Sequence, residues 1–391
     1  MTFRAPAAAR AGSPAFRLTL APVVITLAMA HPAEAQRAWS AVTRRFDAFA
    51  DAAHVVGGSA VLVRDGRIVA RHHYGFADRS RGRRVGDSTI YHWASATKTL
   101  GAIAVLQLRD RGLLKLDDPI TRWVPELRTI HDPEGAVERV TLRMLLSHSS
   151  GFQSPTWPWG RGEPWEPFEP TEWSQLVAMM PYQRLEFSPG SRYGYSNPGY
   201  IYLARVVERL TGDPWAVYLQ KNIWTPLGMD RSYVGATPWR LAAQRSHGYR
   251  VAGDSVADLG AEFDPGITIP NSGWNAPVTD VARYLAFLTG AAADSAVLGR
   301  RTLEELWTPT VRTGAPLPEL AAVGLGFFSL EHEGRRIVGH TGDQAGYRSY
   351  VYFDPAASTG VILVFNTTND DGAGDAEMAA LAREALAALR R

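Results

Sequence analysis

Short β-rich runs stand at opposite ends of this 391-residue chain, with helical periodicity between them. From Gly58 to Val63 and from Arg67 to Tyr74, two such runs flank Asp65-Gly66, the dipeptide suited to a tight hairpin turn. Toward the other end, Gly326 to Glu331, Arg335 to His340, Tyr347 to Phe353 and Gly360 to Phe365 are separated by turn signals such as Glu333-Gly334 and Asp354-Pro355. Connections this short require antiparallel neighbours. Asp375 to Arg391 repeats Met378, Leu381, Ala385 and Leu389 at helical spacing and ends in two arginines that suit a helix C-terminus. In the middle, Thr99 to Arg111 carries Leu100, Ile103 and Leu106 and stops at Gly112, and Pro198 to Leu210 ends before Gly212. Asp213-Pro214 then reads as an N-cap followed by proline in a first turn. The pattern predicts an α/β (α+β) chain with a mostly helical region, about 91–319, set between sheet-forming parts at about 36–90 and 320–391. It holds no internal repeat and no long low-complexity linker.

The N-terminus carries a different signal. Arg4, Arg10 and Arg17 precede an apolar run from Leu18 to Ala30 and the small-x-small pattern Ala33-Glu34-Ala35. This reads as a secretory signal, residues 1–35, cut after Ala35, which predicts an exported, periplasmic or secreted protein. The run is far short of the ~20 apolar residues a bilayer needs, and Pro22 interrupts it, so no stable membrane anchor is expected. Beyond the signal, basic and acidic residues balance, and no basic block persists past Arg79 to Arg84. Nucleic acid and anionic membranes are therefore poor partners. The chain has no cysteine, which excludes disulfides, metal thiolates and a cysteine nucleophile.

The most informative chemistry lies at Ser95-Ala96-Thr97-Lys98. Lysine occurs only at positions 98, 115 and 221, and only Lys98 has a serine three residues before it. On a helix that spacing stacks hydroxyl and amine on one face. A serine becomes a nucleophile when a neighbour takes its proton, and an amine can do so if burial or nearby cations lower its pKa from ~10.4. Backbone N–H groups at a helix start would help hold an oxyanion. Taken alone, the pair reads more readily as a helix cap and a solvated first-turn lysine. Tyr195-Ser196-Asn197 offers a phenol to relay a proton and an amide to hold a substrate amide, though such residues are common around turns. His340-Thr341-Gly342 ends a predicted strand with hydrogen-bonding groups and a glycine that lets substrate approach its edge. A histidine there is more often structural. The histidines show no His-x-His or His-x-x-x-His spacing, no metal or other cofactor is expected, and no Gly-x-Ser-x-Gly elbow occurs.

Together and in this order the three motifs resemble the serine β-lactamase and penicillin-binding protein family. The branch is that of class C β-lactamases, D-alanyl-D-alanine carboxypeptidases and related esterases. Leu145-Leu146-Ser147-His148-Ser149-Ser150-Gly151, Phe187-Ser188-Pro189-Gly190, Pro226-Leu227-Gly228-Met229 and Gly339-His340-Thr341-Gly342 extend the resemblance from about Phe46 to Asn366. It implies one catalytic domain over 36–391, with an antiparallel sheet from both chain ends flanked by helices and joined to the helical region. It implies a hydrolase working through an acyl-enzyme on Ser95, with Lys98 as proton acceptor, Tyr195 as general acid/base and Asn197 positioning substrate. His340, Thr341 and Gly342 would face the acyl group, and the backbone N–H groups of Ser95 and Asp343 would form the oxyanion hole. His148, which invites comparison with a Ser-His-Asp triad, belongs to a segment that shapes a loop in this family.

One departure bears on substrate. Many β-lactamases of this family have lysine where His340 stands, and histidine, with a free pKa near ~6.5, is mostly neutral at pH 7. The reading therefore favours cleavage of an amide or ester in a D-peptide or ester over a class C-like β-lactamase proper. The competing class is a non-catalytic penicillin-binding or peptidoglycan sensor, which would have no need of Ser95, Lys98 and Tyr195 together. Trp157 and Trp159, in the Trp- and Pro-rich stretch 152–173, either wall the substrate cleft or pack an irregular loop. The expected partner is a small-molecule or peptide substrate.

Overall fold

The computed structural model describes residues 1–2, 32–132, 135–152, 170–253, 255–291, 296–369 and 374–388. The bulk of the expected signal, together with Trp157 and Trp159, lies outside them. The first two long strands, β1 (Gly57–Arg64) and β2 (Arg67–Asp78), are joined at Asp65 and Gly66, whose φ angles are 48° and 74°. Positive φ at both central residues is what a two-residue type I′ hairpin needs. Near the C-terminus, β3 (Phe328–His332), β4 (Arg335–Gln344), β5 (Tyr347–Asp354) and β6 (Thr359–Phe365) form an antiparallel meander. Its last strand pairs with β1 in the register Gly58 with Phe365 through Arg64 with Thr359. The two chain ends therefore make one sheet of order β2-β1-β6-β5-β4-β3. Short strands extend it at both edges: Arg83–Arg84 beside β2, and Ala322–Val323 then Val311–Arg312 beyond β3.

Both faces of this sheet are covered, and the alternation of its side chains divides the core. Five helices matter for that division: α1 (Pro32–Ala52), α2 (Thr97–Asp110), α3 (Pro198–Thr211), α4 (Val278–Leu288) and α5 (Asp375–Ala388). Phe46 and Ala50 of α1 and Met378, Leu381 and Ala385 of α5 pack against Ala60, Leu62, Tyr350, Tyr352, Val361 and Leu363. The intervening strand residues, Val61, Val63, Val351, Phe353, Ile362 and Val364, point the other way into the larger core. There they meet Leu100 and Ile103 of α2, Val206 of α3 and Leu285 of α4. Successive strand residues face opposite sides, so one run of apolar residues serves two helical layers.

The structure departs from the sequence pattern in four places. Strand β4 runs through His340, Thr341 and Gly342 to Gln344 instead of ending at His340. The middle region contains two further small sheets: Ile90–His92 with Trp274–Pro277 and Tyr233–Val234, and Gly248–Ala252 with Ser255–Gly260 and Thr367–Asn369. Three of these strands have only two or three residues, too few to display an alternation, and the others have no more than six. Asp213 is not the cap of the helix that follows it. Pro214 occupies that position, and the Asp213 carboxylate accepts from Lys221 Nζ at 2.7 Å. Helix α2 begins at Thr97, two residues earlier than the pattern indicates, and α3 closes as expected on Gly212 with φ 74°.

Candidate active site

Ser95 sits in a single 3₁₀ turn, Ala94–Ala96, between the strand Ile90–His92 and α2. It is not a helix cap; that position belongs to Ala96, whose methyl group has no polar atom to offer. Ala94 has φ 46°, a left-handed conformation that costs an alanine about 1–2 kcal/mol. Neighbouring bonds hold it there. Thr97 Oγ1 donates to the Ala94 carbonyl at 2.6 Å and accepts from the Trp274 N–H at 3.0 Å. Trp93 donates its backbone N–H to Trp274 O at 2.8 Å and its indole N–H to Ala276 O at 2.9 Å. The small strand Trp274–Pro277 thus clamps the turn from the side.

Lys98 lies one turn into the helical path and is fully buried. Its Nζ is 3.1 Å from Ser95 Oγ and 2.9 Å from the carbonyl of Asn271, in the short helix Ile269–Ser272. No carboxylate pairs with Lys98 among the described residues, and burial drives its pKa well below the ordinary lysine value. The faces of Tyr195 and Tyr200 lie 4.9 and 5.8 Å from Nζ and would favour the cation. Such contacts are each worth about 0.5–2 kcal/mol, less than the several kcal/mol it costs to bury an unpaired ammonium. The amine is therefore neutral: one N–H goes to Asn271 O, and its lone pair can accept from the Ser95 hydroxyl.

Tyr195 completes the cluster. Its phenol is pushed up by burial, so it is protonated at any pH of interest, and the Ser95 side chain is near enough to offset part of that shift. Asn197 follows two residues later at the mouth of α3, half-buried and making no cap bond with its side chain. His148, read as loop-forming, is wholly buried beneath Tyr195, with ring centroids 4.4 Å apart. Its Nδ1 accepts from the Ser196 N–H at 3.1 Å. In a Ser-His-Asp triad that nitrogen would donate to a carboxylate, so His148 is not a triad base.

Strand β4 reaches the same place from the sheet. Its pairing with β3 stops at Phe328 with Gly339, which leaves the edge from His340 onward without a β3 partner. Gly342 brings this edge against the nucleophile turn: a Cβ on it would lie 2.2 Å from the Trp93 carbonyl and 2.7 Å from Ser349 Oγ. The glycine thus serves the approach of the Ser95 turn, where the sequence alone pointed to the approach of substrate. His340 is buried against Phe328, with ring centroids 5.1 Å apart, and its Nδ1–H donates to Thr341 O at 2.5 Å. Burial first, and then the neighbouring Lys98, lower its pKa to about 3. Thr341 is half-buried, and the Asp343 carboxylate accepts from Arg348 Nε at 3.1 Å and Nη2 at 3.0 Å across the β4–β5 pair. Among the described residues no group of histidines and carboxylates is arranged to hold a metal ion.

This constellation of serine, neutral lysine, tyrosine and glycine-bearing strand edge has relatives. The Beta-lactamase family profile matches residues 42–385. The chain belongs to this family of serine hydrolases. Esterase EstB of Burkholderia gladioli is 36% identical over 222 residues, which span 52% of this chain and 54% of the esterase. The chain thus spans about half the length of that relative. D-amino acid amidase from Ochrobactrum anthropi SV3 shares the fold with a TM-score of 0.76 at 23% identity, covering 90% of this chain and 98% of the amidase. A class C β-lactamase gives 0.76 at 19% identity, covering 91% and 97%.

Two contributors to this Beta-lactamase family site carry little signal in the sequence. Asn271 acts through its main-chain oxygen, which any residue supplies. Tyr200, whose hydroxyl donates to Leu146 O at 2.9 Å, closes the family-like run Tyr195-Ser196-Asn197-Pro198-Gly199-Tyr200, which gives no sign of that bond.

Proposed function

We propose that this chain hydrolyses esters, and more slowly amides, of uncharged acyl groups through an acyl-enzyme on Ser95. In acylation the Ser95 hydroxyl passes its proton to the neutral Lys98 amine as Oγ bonds to the carbonyl carbon. The backbone N–H groups of Ser95 and Asp343 receive the oxyanion. On collapse the ester C–O bond breaks, the Tyr195 phenol protonates the leaving alkoxide, and the proton on Lys98 restores the phenol. Water then attacks the acyl-enzyme, giving its proton to the same pair, and Ser95 is released with the free acid. Asn197 and the edge of β4 at Thr341 orient the acyl group.

The observation that carries the ester reading is the neutral, buried imidazole of His340. Where many members of the family present a lysine to a substrate carboxylate, this chain has an uncharged imidazole, and among the described residues the nearby Arg348 guanidinium is engaged by Asp343. A β-lactam or a peptide ending in a carboxylate finds no cation at that place, whereas a neutral ester requires none. The identity shared with an esterase supports the same choice.

The decisive comparison is turnover of p-nitrophenyl butyrate beside intact-protein mass after mixing with benzylpenicillin, for the parent chain and Ser95→Ala. Ester turnover that vanishes in Ser95→Ala, with penicillin acylating more slowly than the ester turns over, is expected. A penicillin adduct that forms and clears faster than ester turnover would make the protein a β-lactamase. Residual esterase activity in Ser95→Ala would remove Ser95 from the mechanism.

Export is part of this proposal, supported by the basic, apolar and Ala33-Glu34-Ala35 segments. Cleavage after Ala35 would trim the first turn of α1 and leave Trp39, Val42 and Phe46 in place against the sheet. Protein recovered outside the cytoplasm should begin at Gln36; an intact Met1 there would refute the cleavage.

A further inference from the structure

Three consecutive residues of the tyrosine loop are each gripped by a different part of His148. Its carbonyl accepts from the Gly194 N–H at 2.8 Å, its ring lies on the Tyr195 ring at 4.4 Å and 27°, and its Nδ1 accepts from the Ser196 N–H at 3.1 Å. The imidazole is itself held on other sides by Tyr200 at 5.3 Å and by Phe328, nearly parallel at 6.3 Å. To make these contacts His148 adopts φ 53°, a left-handed conformation uncommon outside glycine. The bond from Ser196 also sets the tautomer: Nδ1 is an acceptor, so the proton is on Nε2 and the ring is uncharged.

Resting on the role given above to Tyr195, we infer that His148 is a positioning residue whose neutral ring fixes the Tyr195 phenol for proton delivery to the leaving group. An imidazolium would serve badly, because protonated Nδ1 cannot accept from Ser196. Burial, before anything else, keeps the ring neutral. The role is distinct from that of a base: His148 bonds to the tyrosine loop and not to Ser95, and acts through the placement of one hydroxyl. A misplacement of about 1 Å at a reacting group costs about a hundredfold in rate.

The test separates positioning from mere stability by using the leaving group. An alkoxide leaves only with a proton, whereas p-nitrophenolate leaves readily without one, so a misplaced Tyr195 penalises ethyl butyrate more than p-nitrophenyl butyrate. Two variants remove different halves of the grip. His148→Phe keeps a ring and loses the acceptor; His148→Asn keeps an acceptor, tolerates positive φ and loses the ring. With kcat/KM as the readout of acylation, each should lose about 10- to 100-fold on the ethyl ester and about threefold or less on the nitrophenyl ester. Tyr195→Phe is run beside them. If Tyr195→Phe shows this leaving-group bias and either folded His148 variant does not, the inference about His148 is overturned while the mechanism stands. If Tyr195→Phe itself shows no bias, the role of Tyr195 fails and the inference falls with it. Equal losses on both esters in the His148 variants mean that His148 supports the fold alone.

Discussion

Adding one methyl group to Gly342 should disable the site while leaving most of the fold intact. The Cβ of Gly342→Ala would fall 2.2 Å from the Trp93 carbonyl oxygen, and real Cβ contacts essentially never come below 3.0 Å. Strand β4 and the turn carrying Ser95 must therefore part by about 0.8 Å, because the obstructing atom is backbone and cannot rotate away. Forced overpacking of this kind costs about 1–3 kcal/mol, a fall of a few degrees in Tm. The same separation pulls the Asp343 N–H away from the Ser95 N–H, and kcat/KM for a nitrophenyl ester should fall about 10- to 100-fold. A control with the same steric conflict exists at the far side of the sheet. Gly57 lies where β1 meets β2, and a Cβ there would also lie 2.2 Å from a carbonyl, that of Phe76. Gly57→Ala should lose similar stability and keep kcat/KM within about threefold of the parent. The assay pairs thermal unfolding with ester kinetics for the two variants. If Gly342→Ala remains fully active while folded, or if Gly57→Ala loses as much activity, the spacing of β4 from Ser95 is not what the glycine protects.

Three further outcomes follow from the buried groups. Lys98→Met should abolish ester turnover and yet raise stability by about 0.5–2 kcal/mol, since the native chain holds a buried amine neutral at a pH where the unfolded chain would protonate it. That gain should shrink as pH rises toward ~10.4, where the unfolded lysine also loses its proton; a gain independent of pH would refute the neutral amine. His340, lowered to about 3, should make the protein less stable as pH falls below the free histidine value of 6.5, by about 2 kcal/mol at about pH 5. Denaturant titrations at the two pH values should show a smaller loss in His340→Gln, and equal losses in the two proteins would contradict a buried neutral ring. Tyr195, with its phenol raised by burial, should contribute no alkaline limb to kcat/KM below the ordinary tyrosine range; a limb lost in Tyr195→Phe would show that the phenolate is the working form.

Features that depend on neighbours in sequence were legible, and those that depend on neighbours in space were not. The β1–β2 hairpin is written in Asp65-Gly66, and the Ser95–Lys98 pair in a three-residue spacing that a helical path turns into a 3.1 Å contact. The end of α3 is equally plain at Gly212. In contrast, β4 runs past His340 because β5 pairs with it as far as Gln344 with Tyr347, a matter of relative strand length that no run of residues in β4 records. The clamp on the serine turn uses main-chain groups of Trp274 and Ala276, and the partner of Lys98 is the carbonyl of Asn271. Main-chain atoms have no letter in a sequence.

His340 marks the boundary most sharply. Its identity, and its departure from lysine, can be read directly, and a free imidazole predicts a weak anchor that strengthens as pH falls toward 6. Its charge cannot be read, because that depends on burial, with the Phe328 ring packed against it, which lowers the pKa to about 3. The consequence differs in kind. A surface-like histidine would let acid conditions recruit carboxylate substrates; this one, lowered to about 3 by burial, stays neutral at pH 5 and above. Specificity for uncharged acyl groups should therefore persist from about pH 5 to 8, and a rise in penicillin acylation on acidification would show that the imidazole titrates as an exposed one does.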